Sequence, residues 1–239
     1  SLISIGGTIA SKLDYKTGGV TALKDPEDVL SNVPELAGIA NISNILSPFT
    51  IMSESMDHEH WQALAKVCAK ELNKKDNMGV IITQGTDTLH FTSAALSFFL
   101  RDLGKPVVLT ASQRSSDRGS SDAWMNLACS AHASLANFAE VGICMHGSID
   151  DEFCMFMRGT KVRKMDTQRR DAFRPINDYP LALVWPDGKM QPKSNCRKRN
   201  NELKTDVDSR FEPDISLLQT YPGSDPGIMD FQIKKGCKG

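Results

Sequence analysis

The sequence predicts an α/β fold: a doubly wound, mostly parallel sheet flanked by helices, followed by the start of a smaller second α/β domain. Three observations carry that expectation. Val80-Ile81-Ile82 is an uninterrupted apolar run, the mark of a strand buried on both faces. Strand-like and helix-like stretches alternate over residues 80–145, the pattern of a parallel sheet with crossover helices. Polar loops rich in Gly, Thr and Ser follow the strands at their carboxyl ends, where open α/β sheets bind ligands.

The elements follow in order. Residues 2–5 read as a short buried strand, and Gly6-Gly7-Thr8 then requires a sharp, closely packed turn. Residues 12–21 are polar with Gly18-Gly19 and read as a mobile loop. Asp25-Pro26, with Glu27 and Asp28, starts a helix, since Pro suits a first turn and carboxylates suit its dipole. Residues 41–51 read as a strand. Trp61, Leu64, Ala65, Val67, Cys68 and Leu72 recur near helical spacing over residues 58–72. After the strand at 80–82 come a helix at 91–100, a strand at 106–109, a polar loop at 112–121, a helix at 122–138 and a strand at 141–145. Residues 178–210 are rich in Pro, Lys and Arg and read as extended structure and linker. Ile215-Ser216-Leu217-Leu218 reads as a new strand, followed by a helix ending near Gly236. The expected domains are therefore residues 1–190, a linker at 191–212, and the beginning of a truncated second domain at 213–239.

Composition narrows the function classes. Lys+Arg 28 against Asp+Glu 29 gives a net charge of −1, which excludes a histone-like DNA binder. A chain of 239 residues can bury a core without metal or disulfides. The six cysteines form no CxxC pair and match no zinc spacing, and several sit in apolar segments; a reducing, cytoplasmic compartment is expected. No apolar run approaches the ~20 residues needed to span a bilayer, so no membrane partner is expected. No GxxxxGK[ST] occurs, so no nucleotide phosphate site of that kind is expected. The chain opens on Ser1 directly in a strand with no leader-like region before it, and it stops at Lys238-Gly239. Both ends are expected to be cut.

Three places can carry chemistry. Thr8, after two glycines at a strand end, can present its hydroxyl as a nucleophile near backbone N–H groups; an ordinary strand-end turn is the alternative. Thr86-Asp87, in Gln84-Gly85-Thr86-Asp87-Thr88, can bind an amino acid or activate a nucleophile, while N-capping of the next helix is the plainer reading. Lys164 lies in a basic run with Arg158, Lys161 and Arg163. A lysine base needs burial or neighbouring cations to favour its neutral amine, whereas most such lysines are solvated. Cys144 and Cys154 flank His146 without a known metal spacing, so no metal is expected. His58 and His60 are expected on a polar helix face. The loop with Arg114, Asp117 and Arg118 can form a site rim. Lys193, Arg197, Lys198, Arg199 and Lys204 can touch an RNA backbone or simply be a solvated linker.

In order and spacing these segments resemble the bacterial-type L-asparaginase/glutaminase family. Ile5-Gly6-Gly7-Thr8-Ile9-Ala10-Ser11 is similar to its first signature, and Gln84-Gly85-Thr86-Asp87-Thr88 to its second, with Gln84 where the family usually has His. The resemblance implies Thr8 as nucleophile, Thr86, Asp87 and Lys164 as a relay, and Tyr15 as a helper on a mobile loop. It implies Ser53, Glu54, Gly85 and Asp87 as the holders of the substrate's amino-acid end. Ser112 to Ala123, the stretch from Arg158 to Met165, the stretch from Arg169 to Asn177 and Tyr221-Pro222-Gly223 are similar to one branch of the family. That branch comprises the glutaminase subunits of archaeal tRNA-dependent amidotransferases; Gly119 stands where it usually has Pro. This branch implies glutamine as substrate, a homodimer joined by the E subunit of the amidotransferase, and tRNA(Gln) held mostly by that partner. No cofactor is implied in this chain; ATP and Mg are implied on the partner. It also implies that residues 1–239 alone are inactive or barely active, because sites in this family form between subunits with help from a C-terminal domain. A free-standing asparaginase and a non-catalytic scaffold or RNA-binding module stay open beside it.

Overall fold

The computed structural model describes residues 1–13, 20–22 and 33–239. Contacts divide it into two units, residues 1–209 and 210–239. The first unit is built on an eight-stranded sheet. In chain order the described strands are β1 (Leu2–Ser4), β2 (Ser11–Leu13), β3 (Val20–Ala22), β4 (Ile45–Leu46), β5 (Val80–Thr83), β6 (Leu100–Arg101) and β7 (Val107–Thr110). Then come β8 (Val141–His146), β9 (Cys154–Arg158), β10 (Val162–Lys164), β11 (Phe173–Pro175), β12 (Ala182–Val184), β13 (Met190–Pro192) and β14 (Asp206–Val207). The helices are α1 (Leu36–Ile39), α2 (His58–Leu72), α3 (Leu89–Phe99), α4 (Ala123–Leu135) and α5 (Gly227–Lys234).

The main sheet runs β13-β12-β9-β8-β7-β5-β1-β4. Strands β4, β1, β5, β7 and β8 are mutually parallel, and β9, β12 and β13 continue the sheet in antiparallel pairs. Among the parallel strands the second in sequence lies outside the first, and the third to fifth follow on the other side. The chain therefore reverses direction across the sheet between β1 and β5. That switch point opens a crevice at the carboxyl ends of both strands.

Side chains alternate across the pleat, so each strand feeds two cores. Ile3, Val80, Ile82, Val107 and Leu109 pack with Leu64 and Cys68 of α2 and with Leu89 and Leu96 of α3. The opposite-facing Leu2 and Ile81 pack with Leu36 of α1 and with Leu127 and Ala131 of α4. Val108 joins Met125, Cys129 and Phe156 on that face. Asp57 starts α2 by accepting from the Glu59 and His60 amides at 3.0 and 3.1 Å. His60 closes back on the same carboxylate and sets its ring edge-on to Phe49.

Several expectations change. The strand expected over residues 41–51 shrinks to Ile45–Leu46, because only those residues find a ladder partner, on β1. Residues 12–13 and 20–21, expected within a mobile loop, are strand, since β2 and β3 pair antiparallel; residues 14–19 of that loop lie outside the described residues. The helix expected from Asp25 lies outside the described residues. Beyond β8 the chain turns back instead of crossing over, so β9 to β13 add hairpins that the βα alternation did not announce. Within the span expected as a linker, residues up to Ser209 belong to the first unit. Arg199 donates to the Ser134 and Ala136 carbonyls at 3.0 and 2.7 Å, satisfying orphan groups at the end of α4. β14 pairs with β6. Arg199 is thus an inward cap rather than part of a solvated basic run.

The second unit consists of extended chain and α5. The stretch expected as a strand at residues 215–218 has no sheet partner among the described residues. Instead the Ser216 amide donates to the Gly239 carbonyl at 2.9 Å, and the Lys238 amide to that of Asp214 at 2.8 Å. Lys238 also pairs with Glu212 at 2.6 Å. Among the described residues no helix is long and apolar enough to cross a membrane.

All six cysteines are free, and Cys68, Cys129, Cys144 and Cys154 are buried. Burial pushes the Cys68 and Cys154 thiols well above the ordinary range, against formation of the reactive thiolate. Brief maleimide treatment of native protein should label Cys196 and Cys237 and spare the other four, as read by mass spectrometry. Rapid labelling of Cys68 or Cys154 before denaturant is added would contradict this packing.

Candidate active site

The site is assembled where β1 and β5 end. After Ile5 the chain turns through Gly6 and Gly7, and Gly7 has φ +85°, a conformation that a side chain disfavours. A Cβ on Gly7 would also lie 2.2 Å from the Gly85 amide nitrogen. The two strand-end loops are therefore in backbone contact, and Thr8 and Thr86 directly follow that contact in their respective chains. Thr8 begins a 3-10 turn, Thr8–Ala10, closed by the Ala10 amide on the Gly7 carbonyl at 3.0 Å. The Ser11 hydroxyl donates to the same carbonyl at 2.7 Å. Thr8 is half-buried at the opening of the crevice.

A third segment closes on the same place. The Ile51 amide donates to the Ile5 carbonyl at 3.1 Å. This brings up the short 3-10 turn Ser53–Ser55. Ser53 is buried against Gly85, where a Cβ would lie 2.6 Å from the Ser53 hydroxyl oxygen. Glu54, next in the turn, is exposed.

Lys164 arrives from the far side of the chain. It ends β10, which pairs with β11 so that Lys164 lies opposite the fully buried Phe173. Its side chain is only 10% exposed, and Nζ donates to Thr86 Oγ1 at 2.9 Å and to Asp87 Oδ1 at 2.7 Å. Because Thr86 Oγ1 accepts from lysine, its own hydroxyl proton is left to donate onward. The capping alternative does not hold: Thr88 occupies the N-cap of α3 and makes no side-chain cap bond, while Thr86 and Asp87 face Lys164. Arg158 is tied instead to Glu140 at 3.0 Å.

The structure thus brings together Thr86, Asp87 and Lys164 by direct hydrogen bonds, and Thr8, Gly85, Ser53 and Glu54 by backbone proximity. Tyr15 lies outside the described residues.

The rim is fastened by charged groups that sequence reading did not single out. The fully buried Asp122 carboxylate accepts the Gln113 amide at 3.0 Å and the Arg114 amide at 3.1 Å, folding the 112–121 loop back on itself. Asn126 donates to Asp122 at 3.2 Å and to the Ala111 carbonyl at 3.0 Å. Its Oδ1 therefore faces His146 Nδ1, 2.7 Å away. His146 Nε2 meets Asp151 at 2.9 Å. Asp151 also accepts from Arg170 at 2.7 Å, and Arg170 reaches the Ser120 carbonyl at 2.8 Å. Of the Cys144–His146–Cys154 grouping, His146 and Cys154 belong to this hydrogen-bonded network, with Cys154 donating to Asn126 at 3.4 Å. Among the described residues no group of three potential ligands could hold a metal. The signal available in the sequence was the i, i+4 spacing of Asp122 and Asn126 at a helix start.

Asp171 anchors the hairpin that carries Lys164. It is buried, accepts two bonds from Arg169 at 2.9 and 3.0 Å, and pairs with Arg174. The hydrogen bonds from Arg169, with the nearby Arg174 charge, hold its carboxyl below the ordinary carboxylate range, and burial opposes them. A depressed folded value means the contribution to stability is complete above the unfolded pKa, about 3.9, and is lost as pH falls through the folded value. Wild type should therefore resist urea better than Asp171→Asn at pH 6, and the gap should close progressively below pH ~4. A gap that is the same at pH 6 and at pH 2.5 would falsify this account.

Known proteins resemble this chain over its whole length. Residues 1–197 match a family model described as asparaginase, N-terminal. The whole chain is 49% identical to the D subunit of a glutamyl-tRNA(Gln) amidotransferase from Thermococcus kodakarensis, covering 54% of it. It is 46% identical to the protein of the same name from Archaeoglobus fulgidus, covering 56% of it. The chain spans about half the length of these relatives. Among solved structures it resembles a thermostable L-asparaginase from Thermococcus kodakarensis, with a TM-score of 0.81, 27% identity, 98% of this chain and 67% of that one covered.

Proposed function

Because the chain belongs to the asparaginase family through its N-terminal domain, we propose that it is the glutaminase part of a tRNA-dependent amidotransferase. It would release ammonia from glutamine for converting Glu-tRNA(Gln) to Gln-tRNA(Gln). The observation that carries the chemistry is Lys164 Nζ within hydrogen-bond reach of both Thr86 Oγ1 and Asp87 Oδ1, beside the Gly7–Gly85 contact. The observation that favours the amidotransferase over a free-standing asparaginase is the 46–49% identity, over the whole chain, to relatives named as the D component of that enzyme.

In this reading Thr8 Oγ attacks the side-chain amide carbon of glutamine. The C–N bond breaks, the Thr8 proton reaches the leaving nitrogen, and ammonia departs from a glutamyl ester on Thr8. Water then cleaves the ester to glutamate and restores the hydroxyl. Lys164 serves as base through Thr86, and Asp87 orients Lys164 and binds the substrate ammonium. Ser53, Glu54 and Gly85 hold the amino-acid end, and Tyr15 assists activation of Thr8. Ammonia passes to the E subunit of the amidotransferase, which carries ATP, Mg²⁺ and most of the tRNA contact. The working form is a cytoplasmic homodimer joined to that partner.

Thr8→Ala in the full-length protein with its partner should lower glutamine turnover by on the order of 10³-fold or more, and Lys164→Met by about 10²–10⁴-fold. Turnover of glutamine should rise when the partner and charged tRNA are added. Full-rate hydrolysis of asparagine without them would point to a free-standing asparaginase. Activity untouched by Thr8→Ala would remove the nucleophile assignment.

A further inference from the structure

The turn assigned to the substrate's amino-acid end is a single 3-10 turn, Ser53–Ser55, with Glu54 exposed. A turn this short does not set its own position. Its carbonyl anchor is Ser53 O, which accepts the Met56 amide at 3.1 Å from within the turn and the Thr88 hydroxyl at 2.7 Å from outside it. Thr88 has one hydroxyl proton, and that proton is committed to Ser53. The Thr88 oxygen in turn accepts the Gln84 side-chain amide, Nε2, at 3.0 Å. Gln84 is fully buried, and its Oε1 has no hydrogen-bond partner among the described residues. A buried amide with one end unpaired is a net cost to stability, so its presence is better explained by what its other end holds.

Residues 84–88 therefore do two things at once. Thr86 and Asp87 face Lys164, and Gln84 and Thr88 face the Ser53 turn. We infer that Thr88, oriented by Gln84, is a positioning residue that locks the Ser53-Glu54 turn in register with the Thr86-Asp87-Lys164 relay, so that it sets affinity for the amino-acid end of the substrate. The inference rests on the amidohydrolase reading above. Thr88 makes no contact with a reacting atom in that reading. Loosening the turn weakens ground state and transition state alike, which raises KM and leaves kcat in place.

The test uses the full-length protein with its partner subunit and glutamine. Wild type, Thr88→Val, Thr88→Ser and Gln84→Met are compared for kcat and KM. Glutamine affinity is measured separately by calorimetry in a Thr8→Ala background. Thr88→Val should raise KM and Kd about 3- to 10-fold, the range expected for one lost hydrogen bond, with kcat within about 2-fold. Thr88→Ser, which keeps the hydroxyl, should restore KM. Gln84→Met should move KM in the same direction by about 2-fold, and it decides the matter if melting curves show Thr88→Val unfolded. An unchanged KM, or a kcat loss at constant KM, overturns the positioning role while wild-type turnover keeps the amidohydrolase reading standing. A wild type that neither binds nor hydrolyses glutamine or asparagine removes both.

Discussion

Two backbone segments meet with nothing between them, at Gly7 and Gly85, and the arrangement of the site depends on that contact. The parallel strands β1 and β5 are neighbours, so their exits are held only a strand spacing apart. A side chain on Gly7 would meet the Gly85 amide, and one on Gly85 would meet Ser53. Removing both side chains lets three loops converge on one point, with a hydroxyl residue following each glycine. The switch in crossover direction between the same two strands leaves the space above that point open to a ligand.

Onto this rigid base the chain adds a group from far away in sequence. Lys164 and Thr86 are 78 residues apart. The lysine is delivered by a short hairpin in which it lies opposite the buried Phe173, and in which Asp171 ties Arg169 to Arg174. The rim loop is likewise closed by a buried carboxylate, Asp122, and joined to the hairpin end through Gln113 and Arg170. The lower half of the site is thus held by backbone and apolar packing. The upper half is held by charged hydrogen bonds, which are directional and set side-chain angles as well as distances.

The parallel part of the fold was legible because it rests on local signals. Val80-Ile81-Ile82 can only be a strand buried on both faces, and the glycines at its end and after β1 mark close approach. Hairpins after β8 were not legible, since whether a short strand crosses over or turns back is decided by which edge has an open ladder. The strand expected at 41–51 likewise keeps only Ile45–Leu46, where it meets β1, and the one expected at 215–218 joins no ladder among the described residues. Runs of apolar residues without a neighbouring strand to extend a ladder do not make a sheet. Residues whose meaning changed did so through partners distant in sequence. Thr86 and Asp87 read as caps until Lys164 reached them. Arg199 read as a solvated cation until the end of α4 lay beneath its guanidinium.

By itself, then, the sequence determined the α/β class, the strand ends at which chemistry can occur, and the identity of the candidate groups at Thr8, Thr86, Asp87 and Lys164. Residue type, periodicity and turn chemistry are written locally and survive any rearrangement of the rest. Only the tertiary structure decided that the lysine points at the threonine and not at solvent. It likewise decided that His146 and Asp122 share one hydrogen-bonded network under the 112–121 loop, and that Thr88 is occupied with Ser53 instead of capping its own helix. Each of those outcomes is a choice between competing hydrogen-bond partners, and the choice is made by which partner the packed sheet brings within about 3 Å.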